Sequence, residues 1–331
     1  MKKSKLKIRT VVLGILLVLM AMTTVYNFFD NSRIKVVEQQ IVIGRLPESF
    51  DGFRILQISD LHGKYFGKKQ VDLLKIINNL DYDMIAFTGD MNKSAEKSIE
   101  SSSAIFDLID GIKKKDSVFW VDGNTGPYAI SGIDSVKTDE LTEVGEILKE
   151  KGCNILTLPY GISRGNDRIW IAPEMLEISF LAANSIDAEK AGGEENLKKV
   201  QAFTQKAKTV FNAINRNDEV KILLDHYPKQ TNLTEEEWNQ MGWLDYDLII
   251  AGHYHGGQFR IPFIGALYIP SPTSGIFSGY FPKQNAVKGL NSVSGIPQYI
   301  SAGLGTSTSI EILNFRLFNT PEINVITLKC E

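Results

Sequence analysis

The sequence predicts an α/β sandwich, two facing sheets with helices packed outside them (four layers, α/β/β/α), preceded by one membrane-spanning helix. Three observations carry this expectation. From residue 32 onward helix-like and strand-like stretches alternate with no low-complexity linker. The last seventy or so residues are rich in Gly, Pro and Ser and hold several short β-like runs. Before both lies a basic cluster followed by a charge-free apolar run. The chain has 331 residues, of which 43% are hydrophobic and 10% aromatic, enough for a large core and incompatible with wholesale disorder or a collagen-like chain. Its 2 cysteines, Cys153 and Cys330, cannot build a disulfide framework or a thiolate zinc site. Any metal centre must therefore use oxygen and imidazole ligands, which makes the four histidines, His62, His226, His253 and His255, the most informative residues.

Lys2, Lys3, Lys5, Lys7 and Arg9 open the chain, and Thr10 to Phe29 follow without one charge until Asp30. Twenty helical residues at about 1.5 Å each reach roughly 30 Å, the thickness of a bilayer core. A cleaved signal peptide is the competing reading. Its apolar core is about 7–15 residues and ends at a small-x-small site; here the run is longer and offers only Ala21-Met22-Thr23. The basic cluster stays in the cytoplasm by the positive-inside rule, so residues 30–331 lie outside it. The expected organisation is a cytoplasmic tail at 1–9, an anchor at 10–29 and a single domain at 30–331. Five of the 36 basic residues sit in the tail, leaving 31 against 39 acidic ones, a net −8, for everything after it. That remainder carries no basic nucleic-acid footprint, and no nucleic-acid partner is expected.

Within the domain, Ile34 to Ile43 and Arg54 to Ser59 read as strands. Lys68 to Leu80 reads as a helix from its apolar spacing at Val71, Leu74, Ile77 and Leu80. A strand from Met84 to Thr88, a helix from Ser94 to Ile112 and a strand from Ser117 to Val121 follow. Asp139 to Lys151 is a helix ended by Gly152 in the left-handed cap position. Ile155, Ile169 to Ala172 and Leu176 to Ala182 read as strand-rich, Glu194 to Ile214 as a long helix, and Lys221 to Leu224 and Tyr246 to Ala251 as strands. The aromatic-rich run from Phe259 to Phe281 reads as loop packing, the alternative being a lid toward lipid. Trp238 and Trp243 read as packing.

The chemistry falls where strands end. Ser59-Asp60-Leu61-His62, Thr88-Gly89-Asp90, Asp122-Gly123-Asn124, Asp225-His226-Tyr227-Pro228 and Gly252-His253-Tyr254-His255-Gly256-Gly257-Gln258 each follow an expected strand. In an extended segment residues two apart point the same way, so Asp60 and His62 can reach one ion. His253 and His255 would lie about 7 Å apart along such a segment, which suits two neighbouring ions. Glycines beside them let backbone approach a metal or substrate. Oxygen and imidazole donors without thiolate suit zinc, manganese or iron.

In this order these motifs resemble the calcineurin-like metallophosphoesterase family over about residues 50–331. Ser301-Ala302-Gly303-Leu304-Gly305, Phe315-Arg316-Leu317-Phe318 and Pro321-Glu322-Ile323 are similar to its membrane-anchored bacterial branch. The resemblance implies two divalent metal ions, Mn, Zn or Fe. It implies that Asp60, His62 and His255 bind the first ion, that Asp90 bridges, and that Asn124, His226 and His253 bind the second. It also implies hydrolysis of a phosphoester by two-metal activation of water.

One motif departs from the family. The usual Gly-Asn-His followed by Asp or Glu is here Gly123-Asn124-Thr125-Gly126-Pro127. Threonine cannot act as a general acid near neutral pH, and losing general acid catalysis costs about 10²–10⁴-fold. With Asp90, Asn124 and Thr125 as the residues at the reacting centre, the expectation is a phosphodiester or pyrophosphate substrate whose leaving group needs little protonation. A lipid-headgroup or cell-envelope phosphoester would suit the tether. Tyr128 and Tyr254 are candidate substitutes for the missing histidine. A protein on the same fold that binds metal and phosphate without turnover is the alternative.

Overall fold

The computed structural model describes residues 2–93, 99–131, 138–175, 177–215, 218–229, 234–270, 279–306 and 314–331. The chain opens with α1 (Lys2–Ser32), an unbroken 31-residue helix, whose segment Arg9–Ser32 is long and apolar enough to cross a membrane. Val11, Leu13, Leu16 and Val18 are exposed, as are their neighbours around the helix, so no protein core covers this part of it.

The domain then runs β1 (Lys35–Val42), β2 (Arg54–Ile58), α2 (Val71–Ile77), β3 (Met84–Thr88), α3 (Ser103–Gly111), β4 (Val118–Val121), α4 (Glu143–Glu150) and β5 (Cys153–Ile155). Its second half runs β6 (Tyr160–Arg164), β7 (Asp167–Ala172), α5 (Glu177–Asn184), α6 (Glu194–Ile214), β8 (Val220–Leu224), α7 (Glu235–Met241) and β9 (Leu248–Ala251). A small hairpin, β10 (Arg260–Ile261) with β11 (Gly265–Ala266), precedes β12 (Gly289–Val293), β13 (Ile296–Ile300) and β14 (Glu322–Lys329).

Two six-stranded sheets result, ordered β1-β14-β2-β3-β4-β5 and β12-β13-β9-β8-β7-β6. The strands that lead to the site motifs pair in parallel: β2 with β3 and β3 with β4 in one sheet, β8 with β9 in the other. β3, β8 and β9 are buried at every position and mostly apolar because both faces are covered, as parallel sheets require. Alternation along them sorts the layers. Met84 and Ala86 of β3, with Ile222 and Leu224 of β8, fill the space between the sheets. Ile85 and Phe87 face outward onto Leu73, Ile105, Leu108 and Leu148 of α2, α3 and α4. Leu223 and Ile249 face the opposite outer layer, with Phe180, Phe203, Phe211 and Trp238 of α5, α6 and α7. Three cores between four layers make the expected α/β/β/α sandwich.

Several elements differ from expectation. Leu176 to Ala182, read as strand-rich, falls on α5, apart from residue 176, which lies outside the described residues. A short apolar run does not separate strand from helix; here tertiary packing decides, with Phe180 meeting Phe211 edge-on at 5.4 Å between ring centroids. The helix expected over Ser94 to Ile112 begins later, as a 3₁₀ turn at Glu100–Ser102 leading into α3, with residues 94–98 outside the described set. The helix expected from Asp139 starts at Glu143, because the Thr142 side chain accepts from Gly145 N at 3.0 Å and fixes the cap there. Gly152 follows it with φ 96, as a left-handed cap needs. Within Phe259 to Phe281, Phe263 and Phe281 are exposed rather than packed, and residues 271–278 lie outside the described set. Trp238 and Trp243 stack on each other at 4.6 Å between ring centroids. Cys153 and Cys330 are both free.

Candidate metal centre

All five motifs meet at the carboxyl ends of the parallel strands, where open α/β sheets bind ligands. Backbone hydrogen bonds between neighbouring loops hold them in register. Asp60 N donates to Gly89 O (3.0 Å), His62 N to Asp90 O (3.0 Å) and Gly252 N to His226 O (3.0 Å). Gln57, buried on β2, ties the two sheets together beneath the site by donating to Thr88 Oγ1 and to Ala251 O of the facing sheet.

The local backbone is not extended, contrary to the spacing argument. Asp60, His62, Asp90, His253 and His255 all have left-handed φ, between 49 and 69. Tyr254 between the last two is right-handed helical and His255 begins a 3₁₀ turn. The expected divergence of His253 and His255 toward separate positions is found, but it arises from this alternation of backbone hand rather than from the pleat of a strand. Five non-glycine residues in this region cost about 1–3 kcal/mol each and persist only where the surroundings over-determine them. Glycines supply part of that constraint. A Cβ on Gly123 would overlap the Asp90 carboxylate, and one on Gly252 would overlap Ser59 Oγ and Asp60.

Six of the seven expected ligands form two buried groups that share one member. Asp60, His62, Asp90 and His255 offer donor atoms to a common position, and Asp90, His226 and His253 to another. Asn124, the seventh, places Oδ1 3.0 Å from His226 Nε2, beside the second group. Asp90 Oδ2 lies 3.6 Å from His62 Nε2 and 3.3 Å from His226 Nε2. Asp90 Oδ1 accepts the backbone N–H of Thr125 at 2.8 Å. Asp60 Oδ1 lies 3.7 Å from His255 Nε2, and its carboxylate accepts from His253 N.

Three of the four imidazoles are held in the neutral form that can bind a cation. Burial pushes His62 down to about 4 and His253 to about 3, and it holds His255 well below the usual imidazole range, so their lone pairs are free near neutral pH. Burial would also lower His226, but its hydrogen bond and charge interaction with Asp90 outweigh that and raise it to about 9. The same pairing outweighs burial at Asp90 and holds its carboxyl well below the usual range. Burial, with the Asp90 charge adding to it, raises Asp60 to about 6.

The donor set fits divalent cations. His62 Nε2 faces His255 Nε2 at 3.3 Å and His226 Nε2 faces His253 Nδ1 at 3.0 Å. Imidazole nitrogens at such range share a proton in the metal-free protein, and a divalent cation that takes the proton's place would be met by both lone pairs. His226 Nδ1 lies 2.9 Å from Thr88 O, so an Nδ1–H···O bond leaves Nε2 as the donor atom toward the centre.

Sequence reasoning placed Thr125 at the reacting centre, and its Oγ1 does lie 3.5 Å from His62 Nδ1. Of the two tyrosines considered, Tyr128 spends its hydroxyl on Asn124 O (2.6 Å) and Tyr254 is buried. Tyr227, not singled out before, has its ring 4.6 Å from that of His253 and is partly exposed. Asp122 is not at the centre; it accepts from Trp120 Nε1 and from the backbone of Ala129 and Ile130. The main omission is Arg316, fully buried, which donates to the carbonyls of His255, Ala302, Gly305 and Asn319 and so fixes the loop that carries His255. Asn319 Nδ2 donates to the same His255 carbonyl at 2.7 Å.

A buried Asp/His centre at the strand ends of a four-layer sandwich defines a metal-dependent hydrolase. The chain belongs to the calcineurin-like phosphoesterase family, whose model matches residues 53–257, and it is a phosphoester hydrolase on that ground. It is 24% identical over 307 residues to "Uncharacterized metallophosphoesterase YkuE" of Bacillus subtilis, covering 92% of this chain and 88% of that one. It is 23% identical over 270 residues to "Uncharacterized metallophosphoesterase YkoQ" of the same organism, covering 81% of each. A 90-residue stretch, 26% of this chain and 21% of the other, is 29% identical to "Transmembrane protein with metallophosphoesterase domain" of Danio rerio. The family and the donor set together indicate divalent-metal binding.

Proposed function

We propose that the protein is a single-pass, membrane-anchored phosphohydrolase that cleaves a phosphodiester or pyrophosphate bond with two divalent ions, its domain at 30–331 lying outside the cytoplasm. The observation that carries this reading is Asp90, the one carboxylate common to both donor groups. Asp60, His62 and His255 would hold the first ion with it, and Asn124, His226 and His253 the second. Two ions in such a pair neutralise phosphoryl oxygens and acidify a water for in-line attack on phosphorus.

The protein's own residues do the rest. The Thr125 N–H and the His226 and His62 rings fix the Asp90 carboxylate between the groups. The Tyr128 hydroxyl holds the Asn124 backbone, keeping that amide beside His226. In hydrolysis water adds to phosphorus and the bond to the leaving oxygen breaks. No imidazole is left over to protonate that oxygen, since all four histidines of the sequence belong to the donor groups. Thr125 keeps its hydroxyl proton near neutral pH, so the chemistry favours leaving groups that depart as stable anions, a phosphate or an aryl oxide.

Asp90→Asn tests the reading directly. It is expected to lower bound metal, measured by elemental analysis, and to cut hydrolysis of bis(4-nitrophenyl) phosphate by at least about 100-fold. Unchanged activity in this variant would overturn the assignment.

A further inference from the structure

A cleft of about 1060 Å³ lies between the outer end of α1 and the metal centre, at the upper end of the size of small-ligand sites. One wall is the α1 stripe Met20, Thr23, Thr24, Asn27, Phe28 and Asn31. These residues recur at three- and four-residue spacing, hence on a single helix face. The other wall comes from the domain, through Lys64, Phe66, Phe315 and Leu317. At the top the cleft reaches His62, a member of the first donor group, with Lys93 beside it.

The lining grades along its length. Met20 at the deep end is apolar, Thr23 and Thr24 are intermediate, and Asn27 and Asn31 are amides. Lys64, Lys93 and His62 at the top suit a phosphate. Met20 lies ten residues before Asp30, about 15 Å down the helix at 1.5 Å per residue. The stripe holds both asparagines of the span's outer end, and Asn27 is 8% exposed with an Oδ1 that has no hydrogen-bond partner. An enclosed acceptor without a partner costs about 1–3 kcal/mol, and here it sits on the wall of the cleft.

The walls are joined firmly. Asn31 Nδ2 donates to Arg316 O at 2.7 Å and Asn31 Oδ1 accepts from Arg316 N at 2.8 Å. Lys64 Nζ donates to Asn31 O at 2.6 Å, and Tyr26 packs on Phe318 with ring centroids 5.6 Å apart. The helix is therefore one side of a built cleft as well as an anchor.

We propose that this cleft binds an amphiphilic phosphoester, with its apolar tail along the Met20–Phe28 stripe of the anchor and its phosphate at the His62 end, making lipid-linked phosphates the substrate class. The proposal rests on the hydrolase reading above and adds to it the part of the substrate that does not react. A tail in this position stays in the outer half of the bilayer while the phosphorus–oxygen bond reaches the metals, so the substrate need not leave the membrane.

The test uses the full chain, loaded with Mn²⁺, in phosphatidylcholine nanodiscs. Hydrolysis of hexadecyl 4-nitrophenyl phosphate is compared with that of methyl 4-nitrophenyl phosphate; both release 4-nitrophenol and leave an alkyl phosphate. Thr23→Trp blocks the stripe, and Met22→Trp, on the opposite face, is the control. The ratio of the two kcat/KM values is read across variants, so that partitioning of the long-chain substrate into lipid cancels. Thr23→Trp is expected to lower the hexadecyl-to-methyl ratio by at least about tenfold, and Met22→Trp to leave it as it is. An unchanged ratio in Thr23→Trp, or an equal fall in Met22→Trp, overturns the cleft as the tail site. Failure of every variant and the parent to hydrolyse either diester overturns the hydrolase reading instead. The cleft is then judged by photolabelling with a diazirine-tailed hexadecyl phosphate: labels confined to Met20, Thr23 and Phe28 uphold it, and labels spread around the helix overturn it.

Discussion

Thr125 is the residue on which the substrate range turns. Its backbone N–H serves Asp90 while its side chain reaches the outer nitrogen of His62, so the position is structural on one side and chemical on the other. Thr125→His keeps the N–H and adds an imidazole. It is expected to raise kcat on alkyl phosphodiesters, which leave poorly, by up to about 10²-fold and to change nitrophenyl ester turnover little; an equal fall on both would show that the side chain does not face the leaving group. The donor groups also predict a proton count. His226 is raised to about 9 and so is protonated in the metal-free protein at pH 7.5, and metal must displace that proton. Asp60, raised to about 6, is ionised at pH 7.5 and largely protonated at pH 5.5. Titration calorimetry in buffers of different ionisation enthalpy should therefore find about one proton released at pH 7.5 and close to two at pH 5.5, with apparent affinity rising with pH. The candidate ligands were legible in the sequence because donor-type residues with glycine neighbours recur at the ends of apolar runs. Arg316 was not, since its importance comes from carbonyls that the fold gathers around it, His255 the most distant along the chain, and nothing in Phe315-Arg316-Leu317-Phe318 reveals those acceptors.

Among the elements, the strands that carry the site were the most legible part of the fold. β3 lies where its apolar run predicts, because a strand covered on both faces is apolar at nearly every residue. The insertion of β14 between β1 and β2 was not legible. It depends on pairing between residues almost 300 positions apart, parallel to one neighbour and antiparallel to the other. That strand also closes the segment 314–321, which straps the His255 loop to α1 through Arg316, Asn319 and the Asn31 amide. Two substitutions should grade the strap's effect. Arg316→Lys keeps the charge but lacks the fork that meets four carbonyls, and it should lower metal affinity by about 10–100-fold. Asn31→Ala, on the anchor, removes the two hydrogen bonds to Arg316 backbone and should lower it less, while costing roughly 1–2 kcal/mol in thermal unfolding of the metal-free protein. Equal metal affinity in Arg316→Lys and the parent would mean that the His255 loop holds its left-handed turn without the strap.

At the scale of the whole molecule, the charge asymmetry and the anchor make a claim about sides. The basic residues of the tail precede the apolar segment, and on the topology proposed above the positive-inside rule would send the 302 residues after Phe29, with their net acidic balance, to the far side of the membrane. The exposed aromatic and aliphatic residues near the anchor, Phe263, Ile264, Phe281 and Phe318, have a physical reason on this arrangement. Phe259 meets Phe315 edge-on at 5.1 Å, and the 315–318 segment is fastened to α1, so the β10–β11 hairpin tip is carried at the anchor's end of the domain, where amphipathic and aromatic side chains sit well at a bilayer surface. The two free cysteines supply the measurement. Cys153 is buried at 3% exposure, whereas Cys330, next to the chain's last residue, is partly exposed and donates weakly to Leu46 O at 3.3 Å. A membrane-impermeant maleimide added to intact protoplasts should label the protein at Cys330, lose that label in Cys330→Ser and leave Cys153 untouched. Labelling that requires lysis would put the domain and its metal centre in the cytoplasm, where the tether would serve the inner leaflet and the positive-inside reading of the tail would fail.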